Sequence, residues 1–397
     1  MTAGSFSNQS APDPDVSGQT CGLYLHIPFC VRKCFYCSFF SLPGRSDLHA
    51  RYCRAMREHV QQTAREDGMA NFLIPTVFFG GGTPSTLPVA QLAEILAACR
   101  DSLRLSHDNP EISLEMNPAT VNRDVLERLL AAGFNRLSIG AQSFADKDLQ
   151  ALGRPHTAAE SRQVFRMARQ AGFANISLDL MYGLPGQTVS AWKRTLLTAL
   201  ELAPDHLSIY ELSIEKDTVF ADLLHQVRLQ LPDEDQVLLM MTAALEETEK
   251  KGLLRYEISN YARPGKECRH NINYWRNGSY IGIGAGAVSC ISGRRFSVIA
   301  DVEEYCRRIE AGESVIAEIE ELDNEARFRE SVVMGLRMTS GVSIAGLEEI
   351  FGINAEEYYG ELLARLQHDE LLIREGGFMK LTARGFRLAN RVMAELV

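Results

Sequence analysis

The sequence predicts an α/β fold, in which a sheet of parallel strands is covered by helices, followed by a small α+β domain at the C-terminus. From Gly22 to about Tyr210, six short β-branched or aromatic runs alternate with longer amphipathic patterns, as expected for repeated βα units. From Ala326 onward, helical patterns are followed by a short hairpin pattern. Six βα units can form either a partial (β/α)6 barrel of TIM type or an open doubly wound sheet.

Each of the six units contains a candidate strand, and amphipathic segments separate these strands. The predicted strands are Gly22–Ile27, Thr76–Phe79, Ile112–Met116, Asn135–Ile139, Asn175–Leu180 and His206–Leu212. The predicted helices between them cover residues 48–66, 88–103, 121–132, 157–171 and 188–202. This order implies a parallel sheet with its helices outside.

Composition limits the class of protein. The 397 residues are 46% hydrophobic and 23% charged, which are globular values, and no apolar run reaches the roughly 20 residues that would span a bilayer. The first 20 residues have neither the basic start nor the apolar centre of a signal peptide, so we expect a disordered tail. A peripheral contact with a membrane stays open.

Cysteine count and net charge indicate the compartment and exclude one class of partner. Nine cysteines, an odd number, with no export signal favour a reducing compartment and therefore a cytoplasmic protein without a disulfide framework. A net charge of −10 argues against nucleic acid as a general partner, because the phosphate backbone selects basic surfaces.

Three closely spaced thiols follow the first predicted strand. Cys30, Cys34 and Cys37 can converge on one small object because the loop between them is short. Three thiolates leave one iron of a cubane iron-sulfur cluster open to an exogenous ligand. The alternatives are a zinc site that includes His26, or free thiols, but no second half-site with zinc spacing is evident. The spacing therefore favours a [4Fe-4S] cluster.

Polar residues end all six predicted strands, which helps to choose the architecture. In a barrel the reactive groups lie on the loops at the C-terminal face. The strand ends carry Cys30 to Cys37, then Gly80-Gly81-Gly82-Thr83-Pro84, Glu115 with Asn117, Gln142 with Ser143, Asp179, and Tyr210 with Glu211. Agreement across six ends favours one common pocket at the mouth of a barrel.

The glycine triplet and the two carboxylates each have a structural alternative. Three glycines can simply make a tight turn, but they also let backbone groups approach an amino-acid ligand closely. The triplet is neither a P-loop nor a dinucleotide fingerprint, because the required spacings are missing. Glu115 could be a core ion-pair partner and Asp179 a strand-end cap. Buried carboxylates need partners, and the ribose hydroxyls and ammonium of a cofactor would supply them.

Several motifs together resemble a known family. Cys-x3-Cys-x2-Cys after an apolar run resembles the radical S-adenosylmethionine (SAM) superfamily. The order of further motifs is similar to that of the oxygen-independent coproporphyrinogen III oxidase (HemN) family, which includes a heme-chaperone branch (HemW). Besides the cysteine loop and the Gly80–Pro84 segment, these motifs are Tyr24-Leu25-His26-Ile27-Pro28-Phe29, Glu115-Met116-Asn117-Pro118, Ser138 to Phe144, Leu152 to His156 and Asp179 to Gln187. The resemblance covers residues from about 22 to the C-terminus.

The resemblance implies a partial (β/α)6 radical SAM barrel with a [4Fe-4S] cluster at its mouth and SAM bound to the open iron. The positions that match the family's SAM contacts are Tyr24, Tyr36, Gly81, Gly82, Thr83, Glu115, Gln142, Arg154 and Asp179. Some of these residues serve a second SAM in the oxidase branch. The shared chemistry is one-electron transfer from the cluster, supplied by an electron donor protein, to the sulfonium of SAM, which splits a C–S bond.

Two differences decide between the branches. The oxidases have a fourth cysteine two residues after the third, where this chain has Phe39. His270-Asn271-Ile272-Asn273-Tyr274-Trp275 resembles the chaperone branch's heme-binding signature. A lone histidine is often structural, but imidazole is a common axial ligand of heme iron, and Tyr274 and Trp275 offer flat apolar surface. Cys268 is a rival ligand or a bystander.

The resemblance therefore implies a protein that binds heme and delivers it to apo-hemoproteins. The alternative is an oxidase that decarboxylates coproporphyrinogen III in porphyrin biosynthesis. A pure interaction protein with a vestigial cluster is disfavoured, because the set of SAM-matching residues is complete.

The C-terminal segment resembles a winged-helix module. Helices are predicted near 326–338, 343–351 and 355–368, followed by a hairpin of Leu371–Arg374 and Phe378–Leu381 and a final helix from Thr382. Residues 323–397 carry nine Lys and Arg against twelve Asp and Glu, a net charge of −3, so a lid or a client-docking surface is favoured over DNA binding. The expected segments are a tail (1–20), the barrel with the heme motif (21–290), a linker (291–325) and this domain (326–397).

Overall fold

The computed structural model describes residues 20–397. The predicted tail lies outside the described residues except for Thr20, which begins the first strand. In chain order, the strands are β1 (Thr20–Ile27), β2 (Phe29–Cys30), β3 (Leu42–Pro43), β4 (Leu73–Gly81), β5 (Glu111–Met116), β6 (Arg136–Gln142), β7 (Ile176–Tyr182), β8 (His206–Glu211), β9 (Leu254–Arg255), β10 (Asn260–Ala262), β11 (Tyr280–Ile283), β12 (Val288–Ile291), β13 (Arg294–Val298), β14 (Ile316–Glu321), β15 (Val342–Ser343), β16 (Leu372–Glu375) and β17 (Phe378–Leu381). The helices are α1 (His49–Ala64), α2 (Val89–Ser102), α3 (Arg123–Ala132), α4 (Asp146–Ala151), α5 (Ala158–Ala171), α6 (Val189–Glu201), α7 (Val219–His225), α8 (Glu234–Lys250), α9 (Arg269–Trp275), α10 (Val302–Ala311), α11 (Asn324–Leu336), α12 (Ile344–Phe351), α13 (Ala355–His368), α14 (Ala383–Arg387) and α15 (Ala389–Glu395).

The six predicted strands lie side by side in chain order. Strands β1, β4, β5, β6, β7 and β8 are neighbours, and every pair among them is parallel. A doubly wound sheet reverses its strand order at a switch point, and this sheet does not. The prediction of a partial (β/α)6 barrel is therefore confirmed, and the doubly wound alternative is wrong.

Caps explain why the helix boundaries were predictable. The Thr157 side chain accepts a hydrogen bond from the Glu160 N–H at 3.2 Å, and the Glu160 carboxylate accepts one from the Thr157 N–H at 2.6 Å, a capping box that begins α5. The same helix ends at Gly172, whose φ of 107° favours glycine. Residues with these preferences mark the helix ends in the sequence itself.

The sheet extends beyond both edges of the barrel. Strand β11 pairs parallel to β1 and is followed by β12, β13 and β14, while β10 and β9 extend the sheet beyond β8. The prediction of a linker over 291–325 is therefore wrong, because this segment contains β13, α10 and β14. Arg294 and Arg295 on β13 pair with Glu321 at 2.7 Å and Glu320 at 3.2 Å on β14, which explains how an acidic stretch forms a strand.

The C-terminal domain has the predicted winged-helix-like order. Helices α11, α12 and α13 precede the hairpin of β16 and β17, and β15, which the sequence did not reveal, completes a three-stranded sheet. The domain contacts α9 of the barrel, because Asn277 Nδ2 donates to Ser331 Oγ at 2.9 Å and the Arg337 guanidinium lies 4.3 Å from the Trp275 ring centroid. No helix within residues 20–397 is long and apolar enough to cross a bilayer.

Candidate functional site

One cavity of about 560 Å³ runs through the barrel interior. It opens at the cysteine loop and reaches down to α9. Its lining includes the three thiols of the cysteine loop and every residue predicted to bind SAM: Cys30, Cys34, Cys37, Tyr24, Tyr36, Gly81, Gly82, Thr83, Glu115, Gln142, Arg154 and Asp179. His270 and Tyr274 line the same cavity, whereas Trp275 does not. The structure therefore places the two predicted sites in one space.

The cysteine loop is held over the cavity by backbone hydrogen bonds. The N–H of Phe35 donates to the carbonyl of Leu152 at 3.1 Å, and the Phe35 carbonyl accepts from Phe220 N–H at 3.0 Å. All nine cysteines are free, and the three thiols of this loop are half-buried while the other six are buried. The loop thus presents its thiols to the cavity in a fixed arrangement.

Two polar side chains support these thiols. Arg154 Nη1 donates to Cys34 Sγ at 3.3 Å, and Cys30 Sγ shares a hydrogen bond with Thr83 Oγ1 at 3.5 Å. Burial raises the pKa of Cys30, while the bond to Thr83 lowers it. The contact with Arg154 fixes the position of the Cys34 sulfur at the edge of the cavity. The donor set and its surroundings fit an iron-sulfur cluster.

The zinc alternative is not supported by the side-chain positions. Within residues 20–397, no three His, Cys, Asp or Glu side chains are grouped closely enough to hold a single metal ion. His26 already shares hydrogen bonds with Tyr24 Oη at 3.1 Å and with the Phe40 carbonyl at 3.3 Å. A cubane cluster does not need its thiols to converge on a single ion, because each of its irons takes one thiolate.

Gly80 and Gly81 end strand β4, and Gly82 forms a bend against the start of the cysteine loop. Gly81 has a φ of 109°, and a Cβ at Gly82 would lie 2.7 Å from the Phe29 carbonyl oxygen. The N–H groups of Gly82 and Thr83 donate to the carbonyls of Ile27 at 2.8 Å and Phe29 at 2.7 Å. The triplet is therefore the end of a strand rather than a tight turn, and Gly81 and Gly82 line the cavity with backbone.

Two half-buried carboxylates face the cavity. Burial, with a smaller effect from Asp179, raises the pKa of Glu115 to about 8, and burial also raises the pKa of Asp179. Glu115 accepts from Gly81 N–H at 3.2 Å, and Asp179 accepts from Ser138 Oγ at 2.9 Å. A ligand that carries hydroxyls and positive charge would satisfy the remaining carboxylate oxygens. SAM has both, so the donor set fits SAM.

His270 forms part of the cavity floor. It is 1% exposed, its Nδ1 shares a hydrogen bond with Thr76 Oγ1 at 2.9 Å, and its Nε2 shares one with Tyr274 Oη at 3.1 Å. The ring stacks on Phe78 with centroids 5.2 Å apart. Burial is the main reason that the pKa of His270 falls to about 3, so the imidazole is neutral at pH 7. Both of its nitrogens are committed in this conformation.

Sequence reasoning missed Glu111, which fixes helix α9 across the barrel floor. The Glu111 carboxylate accepts from the N–H groups of Arg269 at 2.9 Å and His270 at 3.1 Å, and Cys268 Sγ donates to it at 3.6 Å. This contact joins residues about 160 positions apart, so no local pattern could predict it. Cys268, which the sequence left as a rival ligand or a bystander, is buried against this carboxylate.

We expect Glu111→Gln to destabilise the protein by about 1–2 kcal/mol, because a carboxylate at a helix N-terminus accepts charge-assisted hydrogen bonds. Denaturant unfolding followed by circular dichroism measures the change. The control Glu127→Gln removes an exposed carboxylate of α3, which pairs with Arg123 on the surface, and should change stability by less than about 0.5 kcal/mol. Equal effects of the two substitutions would contradict the role of Glu111.

Further residues that the sequence did not single out line the cavity walls. Arg136, Ser138 and Gly140 lie on β6 at alternate positions with Gln142, and all four line the cavity. On β8, Ser208 lines it as well. The alternation of polar or small residues along predicted strands was the signal that could have found them, because alternate residues share one face of a strand.

Comparisons with known proteins agree with this architecture. Residues 24–199 match the family model described as the radical SAM superfamily, and residues 322–388 match the HemN C-terminal domain. The solved structure of coproporphyrinogen III oxidase (HemN) from Escherichia coli, a radical SAM enzyme, has a TM-score of 0.83 and 25% identity and covers 96% of this chain and 90% of its own.

Similar proteins of known name identify the branch of the family. The heme chaperone HemW of Bacillus subtilis is 36% identical over 93% of this chain and 97% of its own length. The heme chaperone HemW of Lactococcus lactis is 33% identical over 94% of this chain and 96% of its own length. Given this likeness over almost the whole of both relatives, the chain belongs to the HemW family of the radical SAM superfamily.

Proposed function

We propose that this protein is a radical SAM heme chaperone, which holds a [4Fe-4S] cluster and SAM in the barrel cavity, binds heme and delivers it to apo-hemoproteins. Sequence similarity to HemW proteins over almost their whole length is the main support for this proposal. Phe39 also supports it, because this side chain stands 70% exposed where the oxidases have a fourth cysteine. The proposal places the protein in the cytoplasm, where its nine free thiols stay reduced.

The residues that line the cavity would have separate roles. Cys30, Cys34 and Cys37 would hold the cluster, which supplies an electron for cleavage of SAM when an electron donor protein reduces it. Arg154 holds the Cys34 thiol in place, and Glu115 and Asp179 would bind the hydroxyls and the positive charge of SAM.

The heme site in this proposal is His270 with Tyr274 and Trp275. Ligation of iron by Nε2 of His270 requires the hydrogen bond to Tyr274 to break, because a nitrogen cannot serve both partners at once. Trp275 packs against Arg337 of the C-terminal domain, so a heme on that face of the ring would displace that guanidinium. Heme binding at this site would therefore rearrange side chains of α9.

We expect His270→Ala to lower heme affinity at least about tenfold, which corresponds to 1.4 kcal/mol, and to change the heme absorption spectrum, because the axial ligand is lost. Tyr274→Phe should raise heme affinity, because it frees Nε2. Heme titration followed by absorbance measures both effects.

A matched control is His206→Ala. His206 is also buried inside the barrel, and its two nitrogens share hydrogen bonds with Ser177 Oγ at 2.8 Å and Tyr256 Oη at 2.9 Å. This variant should bind heme as the unsubstituted protein does. Unchanged heme affinity and spectrum in His270→Ala would refute the assignment of His270.

The function itself is tested by an anaerobic comparison of two activities with reductant and SAM present. Stoichiometric heme binding followed by transfer to an apo-hemoprotein is the expected result. Turnover of coproporphyrinogen III without heme transfer would instead assign the chain to the oxidase activity.

A further inference from the structure

A buried guanidinium lies at the floor of the cavity without a direct partner. Arg136 is the first residue of β6, is 2% exposed and lines the cavity. Across residues 20–397, its guanidinium forms no ion pair within 4.0 Å and no hydrogen bond, and its Nε is buried without a partner. Buried charges are normally paired, because desolvation of an isolated charge costs several kcal/mol.

The carboxylates near Arg136 accept hydrogen bonds from other groups. Glu111 accepts hydrogen bonds from the N–H groups at the start of α9, Asp179 accepts from Ser138 Oγ at 2.9 Å, and Glu115 accepts from Gly81 N–H at 3.2 Å. Their charges act on Arg136 only from beyond ion-pair distance. The guanidinium is therefore left to face the cavity.

Arg154, another of the three arginines that line the cavity, differs from Arg136 in this respect. Arg154 donates to Cys34 Sγ at 3.3 Å and to the Gly140 carbonyl at 2.6 Å, so its terminal nitrogens are used by the protein. The terminal nitrogens of Arg136 have no such acceptor among the described residues. A planar guanidinium that always carries its charge matches a carboxylate through two parallel hydrogen bonds.

We propose that the barrel floor is a carboxylate-binding subsite, in which the Arg136 guanidinium binds a carboxylate group of a ligand in the cavity. Two ligands of this protein's chemistry carry such a group. One is the amino-acid carboxylate of SAM, although the family resemblance places SAM at the open iron of the cavity mouth. The other is a propionate arm of a tetrapyrrole, which is therefore the source expected at the floor. The second source rests on the proposed function, whereas the subsite itself does not.

The first experiment uses sodium propionate as the probe on the full chain with its cluster reconstituted anaerobically. Ligand binding to the native state raises the unfolding temperature according to ligand concentration. We expect propionate to raise it in the unsubstituted protein and in Arg337→Met but not in Arg136→Met, and propionamide to raise it in none. Arg337 is a matched control, because its Nε is also buried without a partner and it does not line the cavity.

The second experiment measures SAM and decarboxylated SAM by equilibrium dialysis. If SAM supplies the carboxylate, Arg136→Met will lower SAM affinity at least about tenfold and leave the affinity for decarboxylated SAM unchanged. If a separate carboxylate occupies the subsite, SAM affinity will not change and only the propionate response will be lost. Arg136→Lys keeps the charge without the paired geometry, so its response should be intermediate.

The subsite is refuted if propionate has no effect on the unsubstituted protein and Arg136→Met binds SAM normally. Equal responses of the unsubstituted protein, Arg136→Lys and Arg136→Met would refute it as well. Neither experiment uses heme, so its failure is distinguishable from failure of heme transfer.

Discussion

After anaerobic reconstitution with iron and sulfide, Cys34→Ala should retain less than about a tenth of the iron bound by the unsubstituted protein, because each protein-bound iron of the cluster is closed by one thiolate. Cys34 is the thiol that Arg154 contacts, at 3.3 Å, so its loss removes both a ligand and the acceptor of a half-buried guanidinium. SAM cleavage should fall below detection, since the cluster is its electron source. Iron content, visible absorbance and 5'-deoxyadenosine formation measure the result.

The matched control for this prediction is Cys53→Ala. Cys53 lies in α1, is buried and does not line the cavity, so removal of its thiol should leave iron content and SAM cleavage unchanged. A small loss of stability is expected there, because a buried side chain becomes smaller. If both variants lost iron equally, general unfolding rather than loss of a ligand would explain the result.

The mouth of the cavity could be predicted from the sequence because its chemistry follows the strands. Cys30, Gly81, Glu115 and Asp179 each lie at or near the C-terminal end of a predicted strand, and parallel strands in a barrel bring those ends together. Local caps such as Thr157 also fixed the helix boundaries. Short-range patterns were sufficient for both results.

The floor of the cavity could not be predicted in the same way. It is formed by α9, which comes 158 residues after Glu111 in the chain, and their contact depends on the completed barrel. The linker prediction failed for a related reason, because β14 gains its order from arginines on β13 rather than from its own residues. Long-range pairing leaves no periodic signal in either segment.

This floor changes how the heme signature is understood. His270 stacks against Tyr24, with ring centroids 6.5 Å apart, and Tyr24 matches a SAM contact of the family. A rearrangement that exposes His270 would therefore also remove packing from the SAM cavity. Under the proposed function, heme binding and SAM binding cannot be fully independent, because one packed set of aromatic rings serves both.

Glu115→Gln should have opposite effects on SAM affinity and on the stability of the ligand-free protein. SAM affinity should fall about tenfold or more at pH 8.5, because the amide cannot supply the negative charge that a cationic ligand requires. The ligand-free protein should become more stable at that pH, because the substitution removes a carboxylate that is costly to ionise in a half-buried position.

The sign of the stability effect follows from the raised pKa of Glu115. Its folded pKa of about 8 lies above the ordinary value of 4.5, so the folded state holds a proton that the unfolded state has released. This contribution to stability is fully present below about pH 4.5 and is lost as pH rises through 8. From pH 6.5 to 8.5 the unsubstituted protein should lose about 2 kcal/mol through this group, and Glu115→Gln should lose none of it.

Unfolding temperatures and SAM dialysis at pH 6.5 and 8.5 measure the two effects, with Glu257→Gln as the control. Glu257 is buried and its pKa is also raised by burial, but it lies outside the cavity. Its substitution should alter stability and leave SAM affinity unchanged. A Glu115→Gln protein that bound SAM normally would contradict the assignment of Glu115 to SAM binding. A variant with higher stability and lower SAM affinity would show that this carboxylate serves ligand binding and lowers the stability of the folded protein.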